Sequence, residues 1–188
     1  MVSSLNIYLF NAINSLAGKS AFLDKIMLIS ASYLIYAIPI FILYLWFRKG
    51  RDNESRKVAL FVFSCAMLSL VIGWIIGLFY FHPRPFMLNL GTLLMHHSAD
   101  NSFPSDHGLV MFSVALALLY IKKYKSGIVM MLLAIIVGFA RVFVGVHFPF
   151  DILGSLVISL FVATLLFIYK TPIYRTFESI LRLSNKFI

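Results

Sequence analysis

Long apolar runs alternate with short polar connections along the 188 residues, and these runs set the architecture. Segments 26–47 and 58–81 carry no charge. Each is long enough to cross a hydrocarbon layer of about 30 Å as an α-helix. Segment 108–121 is short unless Ser105-Asp106-His107 forms its first turn. Segment 127–145 is crossed by Arg141, and segment 152–169 contains no charge. Ahead of these, Leu5, Leu9, Ala12, Ile13 and Leu16 recur at helical spacing, while Asn6, Asn11 and Asn14 interrupt the apolar stretch. Residues 4–17 are therefore expected to form an amphipathic helix lying in the membrane interface, too short to span it. With no basic region before it, this stretch does not read as a cleavable leader. The expected fold is all-α: a polytopic membrane bundle of about five transmembrane helices plus the N-terminal interfacial helix, forming one domain over 1–188.

Composition strengthens this reading. Hydrophobic residues make up 61% of the chain and charged residues 12%, and the mean hydropathy is +0.95. A soluble domain carries about a quarter charged residues, so too little polar surface remains here to face water. The formal charge of +9 does not point to nucleic acid. The cations sit in short clusters between apolar runs, without a basic groove interleaved with exposed aromatics. Arg48, Lys49, Arg51, Arg56 and Lys57 follow the first run, and Lys122, Lys123 and Lys125 the third. Lys170, Arg175, Arg182 and Lys186 follow the fifth, whereas segments 82–106 and 145–151 contain only Arg84. Positive charge marks the cytoplasmic side, so these last two loops are expected outside the cytoplasm. Trp46 and tyrosines near the run ends fit an interfacial aromatic belt, and Asp24 and Lys25 mark the interface before the first span. The single cysteine, Cys65, lies within an apolar run and cannot form an internal disulfide.

Polar residues in so apolar a chain carry information where anchoring does not explain them. Three clusters fall on the expected extracytoplasmic side: His82-Pro83-Arg84-Pro85, Pro104-Ser105-Asp106-His107, and Arg141-x5-His147-x3-Asp151. Arg84 and Arg141 offer planar forks that match phosphate oxygens. Ser105 and Asp106 stand where a helix N-terminus presents unpaired N–H groups and the positive end of its dipole. Asp151, one turn beyond His147, can fix the imidazole tautomer and leave the other ring nitrogen free to attack phosphorus. His107 then remains to protonate the departing oxygen. His96 and His97 read as loop-packing residues, and no Cys or carboxylate set completes a metal site around them.

These motifs resemble the three signatures of the type 2 phosphatidic acid phosphatase superfamily, with the likeness running over 24–170 and sharpest within 84–151. The resemblance implies a helical membrane fold and a reaction through a phosphohistidine that needs no metal or other cofactor. It also implies His147 as nucleophile, Asp151 as its partner and His107 as acid and then base. Arg84, Ser105, Asp106 and Arg141 match phosphate-binding positions. Three positions depart from the pattern. Gly77 stands where a lysine is usual, with His82 a candidate replacement; Asp106 replaces a glycine and is expected to offer its backbone N–H; Ala140 replaces a serine. Phe81-His82-Pro83-Arg84-Pro85-Phe86 and Ala99-Asp100-Asn101-Ser102-Phe103 are similar to the bacterial bacitracin-resistance undecaprenyl-diphosphate phosphatases. The substrate then implied is a polyprenyl diphosphate, cleaved at the outer face of the bacterial cytoplasmic membrane. Competing readings are a phosphatidylglycerophosphate or phosphatidate phosphatase and, outside enzymes, a small transporter. A transporter would place ionisable groups near mid-membrane rather than at one interface.

Overall fold

The computed structural model describes residues 2–48 and 53–184, with side chains to residue 182; the anchors Lys49, Arg51 and Lys186 lie outside the described residues. The described chain is helical: α1 (Ser4–Asn14), α2 (Ala21–Tyr33), α3 (Ala37–Phe47), α4 (Asn53–Phe79), α5 (Asp106–Tyr120), α6 (Tyr124–Phe143), α7 (Pro149–Ile168) and α8 (Lys170–Ser184). Among the described residues four stretches are long and apolar enough to span a membrane: Ala21–Phe47, Asn53–Phe79, Tyr124–Phe143 and Pro149–Ile168. Helix α5 is apolar but shorter, and it completes the expected set of five apolar helices.

Burial explains the arrangement. Helix α5 is the axis, packed by α4, α6 and α7, with Leu109, Met111, Val114, Ala115 and Ala117 fully enclosed. The outer helices turn Trp74, Leu78, Phe79, Leu132, Ile135, Val157 and Phe161 outward. Such a surface suits lipid, because helices satisfy their own backbone groups. The first span is interrupted by a 3-10 turn at Leu34–Tyr36. Pro39 lacks the N–H that would bond the carbonyl four residues back, which accounts for the break.

Two expectations change. In α1 the buried residues are Asn6, Phe10 and Asn14, while Leu5 and Leu16 are exposed. The asparagines therefore form the inward face. Asn14 Nδ2 donates to Thr92 O (2.9 Å) and Phe143 O (2.8 Å), and its Oδ1 accepts from Thr92 N (2.6 Å). Asn6 Oδ1 accepts from Phe150 N at 3.0 Å. Amides that looked like interruptions clamp α1 to the site loops. The second change is α8, which forms where only a basic tail was expected. It turns Tyr174, Phe177 and Leu181 inward, and the Tyr174 ring meets Phe61 edge-on at 5.8 Å.

Helices α5 and α7 approach closely at the end that bears the polar motifs. A Cβ on Gly108 would lie 2.7 Å from Ser155 Cβ, so glycine permits the contact. Ser155 Oγ donates toward Ser105 O and Asp151 O, each at 2.9 Å, and Ser159 Oγ donates to Leu109 O at 3.1 Å. Small residues that let backbones meet, with hydroxyls bonding across, are how helices associate without a hydrophobic drive.

Candidate active site

Local cap chemistry builds the site. Helix α6 ends in a Schellman motif: Val146 N–H bonds Arg141 O and Gly145 N–H bonds Val142 O. Gly145 takes the left-handed conformation (φ +87°), and a Cβ there would sit 2.5 Å from Thr92 O. Only glycine fits such a position. The five-residue gap between Arg141 and His147 is this cap. Helix α7 begins immediately, with Phe148 as N-cap and Pro149 in the first turn, where proline's missing N–H costs nothing. Asp151 sits in that turn and accepts the Phe148 N–H at 2.7 Å.

The other side is the 80–105 connection. Asn101 clasps it, donating to Tyr80 O (3.0 Å) and Phe103 O (2.8 Å) and accepting from His82 N (2.8 Å). Ser102 N–H bonds His82 O at 2.8 Å. Arg84 is thereby held at the N-cap of a 3-10 turn, Pro85–Leu88.

His147, 2% exposed, is engaged at both nitrogens. Its Nε2 lies 3.2 Å from Arg84 Nη1 and its Nδ1 lies 3.3 Å from Ser102 Oγ. Arginine can only donate, so Nε2 carries the lone pair and Nδ1 the proton. Ser102 Oγ in turn donates to Asp151 Oδ2 at 2.5 Å, whereas the direct Nδ1–Oδ2 separation is 3.5 Å. The hydroxyl thus bridges imidazole and carboxylate. Burial pushes the His147 pKa down to about 4, opposed by Asp151 and reinforced by Arg141 and Arg84. The ring is neutral at pH 7, with its lone pair facing a guanidinium.

Arg84 also donates to Asp100 Oδ1 (2.7 Å), Val146 O (2.8 Å) and Asn101 O (3.1 Å). Arg141, 3% exposed, meets His97 Nε2 through Nη2 at 3.0 Å, and its buried Nε has no partner among the described residues. Burial, then Arg84, lowers the His97 pKa, so this ring is a neutral acceptor for the guanidinium. Ser105 caps α5, its Oγ 3.5 Å from Gly108 N. The first-turn N–H groups of Asp106 and His107 have no intrahelical partner. His107 is half-buried and feels the charges of Arg141, His147 and Arg84. Asp106 is exposed and, with Arg84, Asp100 and Asn101, lines a cavity of about 450 Å³ that runs along Gly73 and Gly77 of α4.

The three sequence motifs thus meet at one end of the bundle. Two histidines meet partners that the sequence did not show. His82, a candidate to replace the lysine missing at Gly77, turns its Nδ1 to Asp151 Oδ1, 3.0 Å away. The space beside Gly77 belongs to Asn101, whose Nδ2 would lie 3.1 Å from a Cβ there. His97, read as loop packing, instead contacts a site arginine. Ser102 and Asn101 escaped notice because serine and asparagine in a loop are ordinary; their signal was polarity immediately before a motif in an otherwise apolar chain.

A buried neutral imidazole whose Nε2 lone pair faces Arg84, with Arg141 and the α5 N-terminus at the same end of a membrane bundle, has the chemistry to hold and attack a phosphate. The match to known proteins agrees. Residues 57–175 fit the PAP2 superfamily, and the chain belongs to that superfamily. It is a multi-pass membrane protein. It is 36% identical over 163 residues to undecaprenyl-diphosphatase BcrC of Bacillus subtilis, covering 87% of this chain and 83% of the relative. Similarity to YbjG of Escherichia coli is also 36%, over 156 residues, covering 83% and 78%. The crystal structure of Aquifex aeolicus LpxE superposes with a TM-score of 0.67 at 27% identity, covering 87% of this chain and 94% of that one.

Proposed function

We propose that the protein hydrolyses undecaprenyl diphosphate to undecaprenyl phosphate and phosphate at the outer face of the bacterial cytoplasmic membrane. The observation that carries the mechanism is His147 Nε2, 3.2 Å from Arg84 Nη1: a neutral nucleophile beside an anion-binding fork. Similarity to BcrC supports the lipid, and the cation-poor loops 82–106 and 145–151 support the outer face. Arg84, Arg141, the N–H groups of Asp106 and His107 and the Ser105 turn receive the terminal phosphate. Charge spread over its equatorial oxygens in the transition state is stabilised by these preorganised donors. His147 Nε2 forms a bond to phosphorus while the bridging P–O bond breaks. The electron pair leaves with the bridging oxygen, which takes a proton from His107. Water then attacks phosphorus and gives its proton to His107, while the P–Nε2 bond breaks with its electron pair returning to His147 and phosphate leaves. Asp151, through Ser102, holds the Nδ1 proton in place throughout.

Phosphate release by the purified protein tests this, with undecaprenyl diphosphate, phosphatidylglycerophosphate and phosphatidate compared in the presence of EDTA. The expected outcome is preference for the isoprenyl diphosphate, insensitive to chelation, and a base-stable phosphohistidine after quenching that His147→Ala abolishes. Full turnover by His147→Ala would overturn the assignment.

A further inference from the structure

Asp151 receives its partners unevenly. Oδ2 takes Ser102 Oγ at 2.5 Å and Phe148 N–H at 2.7 Å, and His147 Nδ1 lies 3.5 Å away. Oδ1 has one near neighbour, His82 Nδ1 at 3.0 Å. Both atoms are fully buried and neither has a hydrogen-bond partner among the described residues, so the 3.0 Å approach of the two is what each has in place of one. The carboxylate therefore lies between two imidazoles, one on each oxygen.

The ring of His82 is not there by accident of a loose loop. Its backbone is fixed on both sides, His82 N to Asn101 Oδ1 and His82 O to Ser102 N, each at 2.8 Å. Its ring stacks on Tyr80 at 6.0 Å with a 12° tilt and leans on Phe148 at 5.4 Å. A carboxylate can rotate about its Cβ–Cγ bond, and rotation of Asp151 would carry Oδ2 away from Ser102. A donor on Oδ1 opposes that rotation. A carboxylate accepts only, so His82 holds its proton on Nδ1.

We infer that His82 is a positioning residue, which locks the plane of Asp151 so that Ser102 and Asp151 keep the proton of His147 on Nδ1. This rests on His147 being the nucleophile. It also gives a loop residue beside Arg84 a task behind the imidazole rather than at the phosphate.

The test compares His82→Phe, which keeps the ring packing and removes the donor, with His82→Asn, which offers an amide N–H near the Nδ1 position. Turnover of undecaprenyl diphosphate and the ¹⁵N spectrum of labelled histidine are read in both. For His82→Phe, kcat should fall by roughly 10- to 100-fold, the scale seen when a partner that orients a histidine ligand is lost. KM should stay within about twofold, because ground-state binding is untouched, and the His147 resonances should show mixed tautomers. His82→Asn should restore a single Nδ1–H tautomer and most of kcat. Unchanged kcat and tautomer in His82→Phe would overturn the inference, as would a loss confined to KM, which would make His82 a phosphate ligand. If His82→Phe fails to fold, the tautomer in His82→Asn decides: a single Nδ1–H form supports the role and a mixture refutes it. If the parent releases no phosphate, the reading of His147 as nucleophile falls, while the ¹⁵N spectra still decide what His82 does.

Discussion

The two ends of α4, about 40 Å apart for 27 residues at 1.5 Å each, both carry buried cations, yet only one end has the makings of chemistry. At the start of the helix, Lys57 bonds Glu178 at 2.8 Å and also pairs with Glu54. Its ammonium lies 5.6 Å from the Tyr174 ring, Lys170 lies 4.9 Å from the same ring, and Arg56 covers Trp46 at 5.4 Å. These cations meet carboxylates and aromatic faces that ask nothing further of them. Beyond the far end, Arg84 points at an imidazole lone pair and Arg141 keeps a buried Nε without a partner among the described residues. Buried polar groups are almost always bonded, so a guanidinium N–H left without a partner among the described residues, near an imidazole, suits an anion. Burial of charge is common to both ends; what the charge faces separates them.

The sharpest way to break this contrast is to remove the fork while keeping the charge. Arg84→Lys should lower kcat/KM by roughly 100- to 1,000-fold, the scale of one lost transition-state donor, because an ammonium cannot reproduce the planar geometry. Steady-state phosphate release would show it. Ser102→Ala comes next. Its loss leaves His147 and Asp151 bridged by nothing across 3.5 Å, and kcat should drop about tenfold or more as a hydrogen bond to a charged group disappears.

Proton linkage gives a third test. The His147 pKa is lowered from 6.5 to about 4, so the folded state binds fewer protons than the unfolded one between those values. The stability contributed by the neutral ring is present above pH 6.5 and lost as pH falls toward 4. The acid limb of kcat/KM in the free enzyme should likewise lie near 4 rather than 6.5, read from a pH profile. Arg84, Arg141 and Asp151 are the charged groups that face the ring, and His107 is a further titratable neighbour.

Smaller effects follow away from the chemistry. Asn14→Leu strands the buried Phe143 O and removes two bonds to Thr92, which is exposed and can turn to water. It should cost about 1–3 kcal/mol, chiefly for Phe143 O. Thermal unfolding in detergent would measure it. At the opposite end, Lys57→Gln should leave kcat/KM within about twofold, since pairs with exposed carboxylates contribute little. A large loss there would dissolve the contrast between the ends.

Much of this was legible from residues alone. The spans follow from apolar length, and the first turn of α5 follows from Ser105-Asp106-His107 preceding a run otherwise too short. Arg84, Arg141, His147 and Asp151 were found because charge in an apolar chain needs a reason. What stayed hidden depends on tertiary partners. Asn6 and Asn14 looked like flaws in an apolar face because their acceptors and donors lie far along the chain, at Thr92, Phe143 and Phe150. Helix α8 was obscured by its charges, although Ile173, Tyr174, Phe177 and Leu181 keep helical spacing. The direction of His82 could not be read at all, since a histidine beside Arg84 faces phosphate or carboxylate only once the loop has closed.

Helix α5 has 15 residues, about 22 Å of rise, against a hydrocarbon layer of about 30 Å. It cannot reach both faces of the bilayer. Enclosed by α4, α6 and α7, it has no need to, since its neighbours rather than lipid surround it. At least one of its ends, the Ser105 turn or the turn at Ile121, therefore stops short of the bilayer surface. Where that end is the Ser105 turn, a lipid diphosphate would lower its headgroup to the site while its tail stays in the solvent that already dissolves it. Water and free phosphate would then make the longer journey.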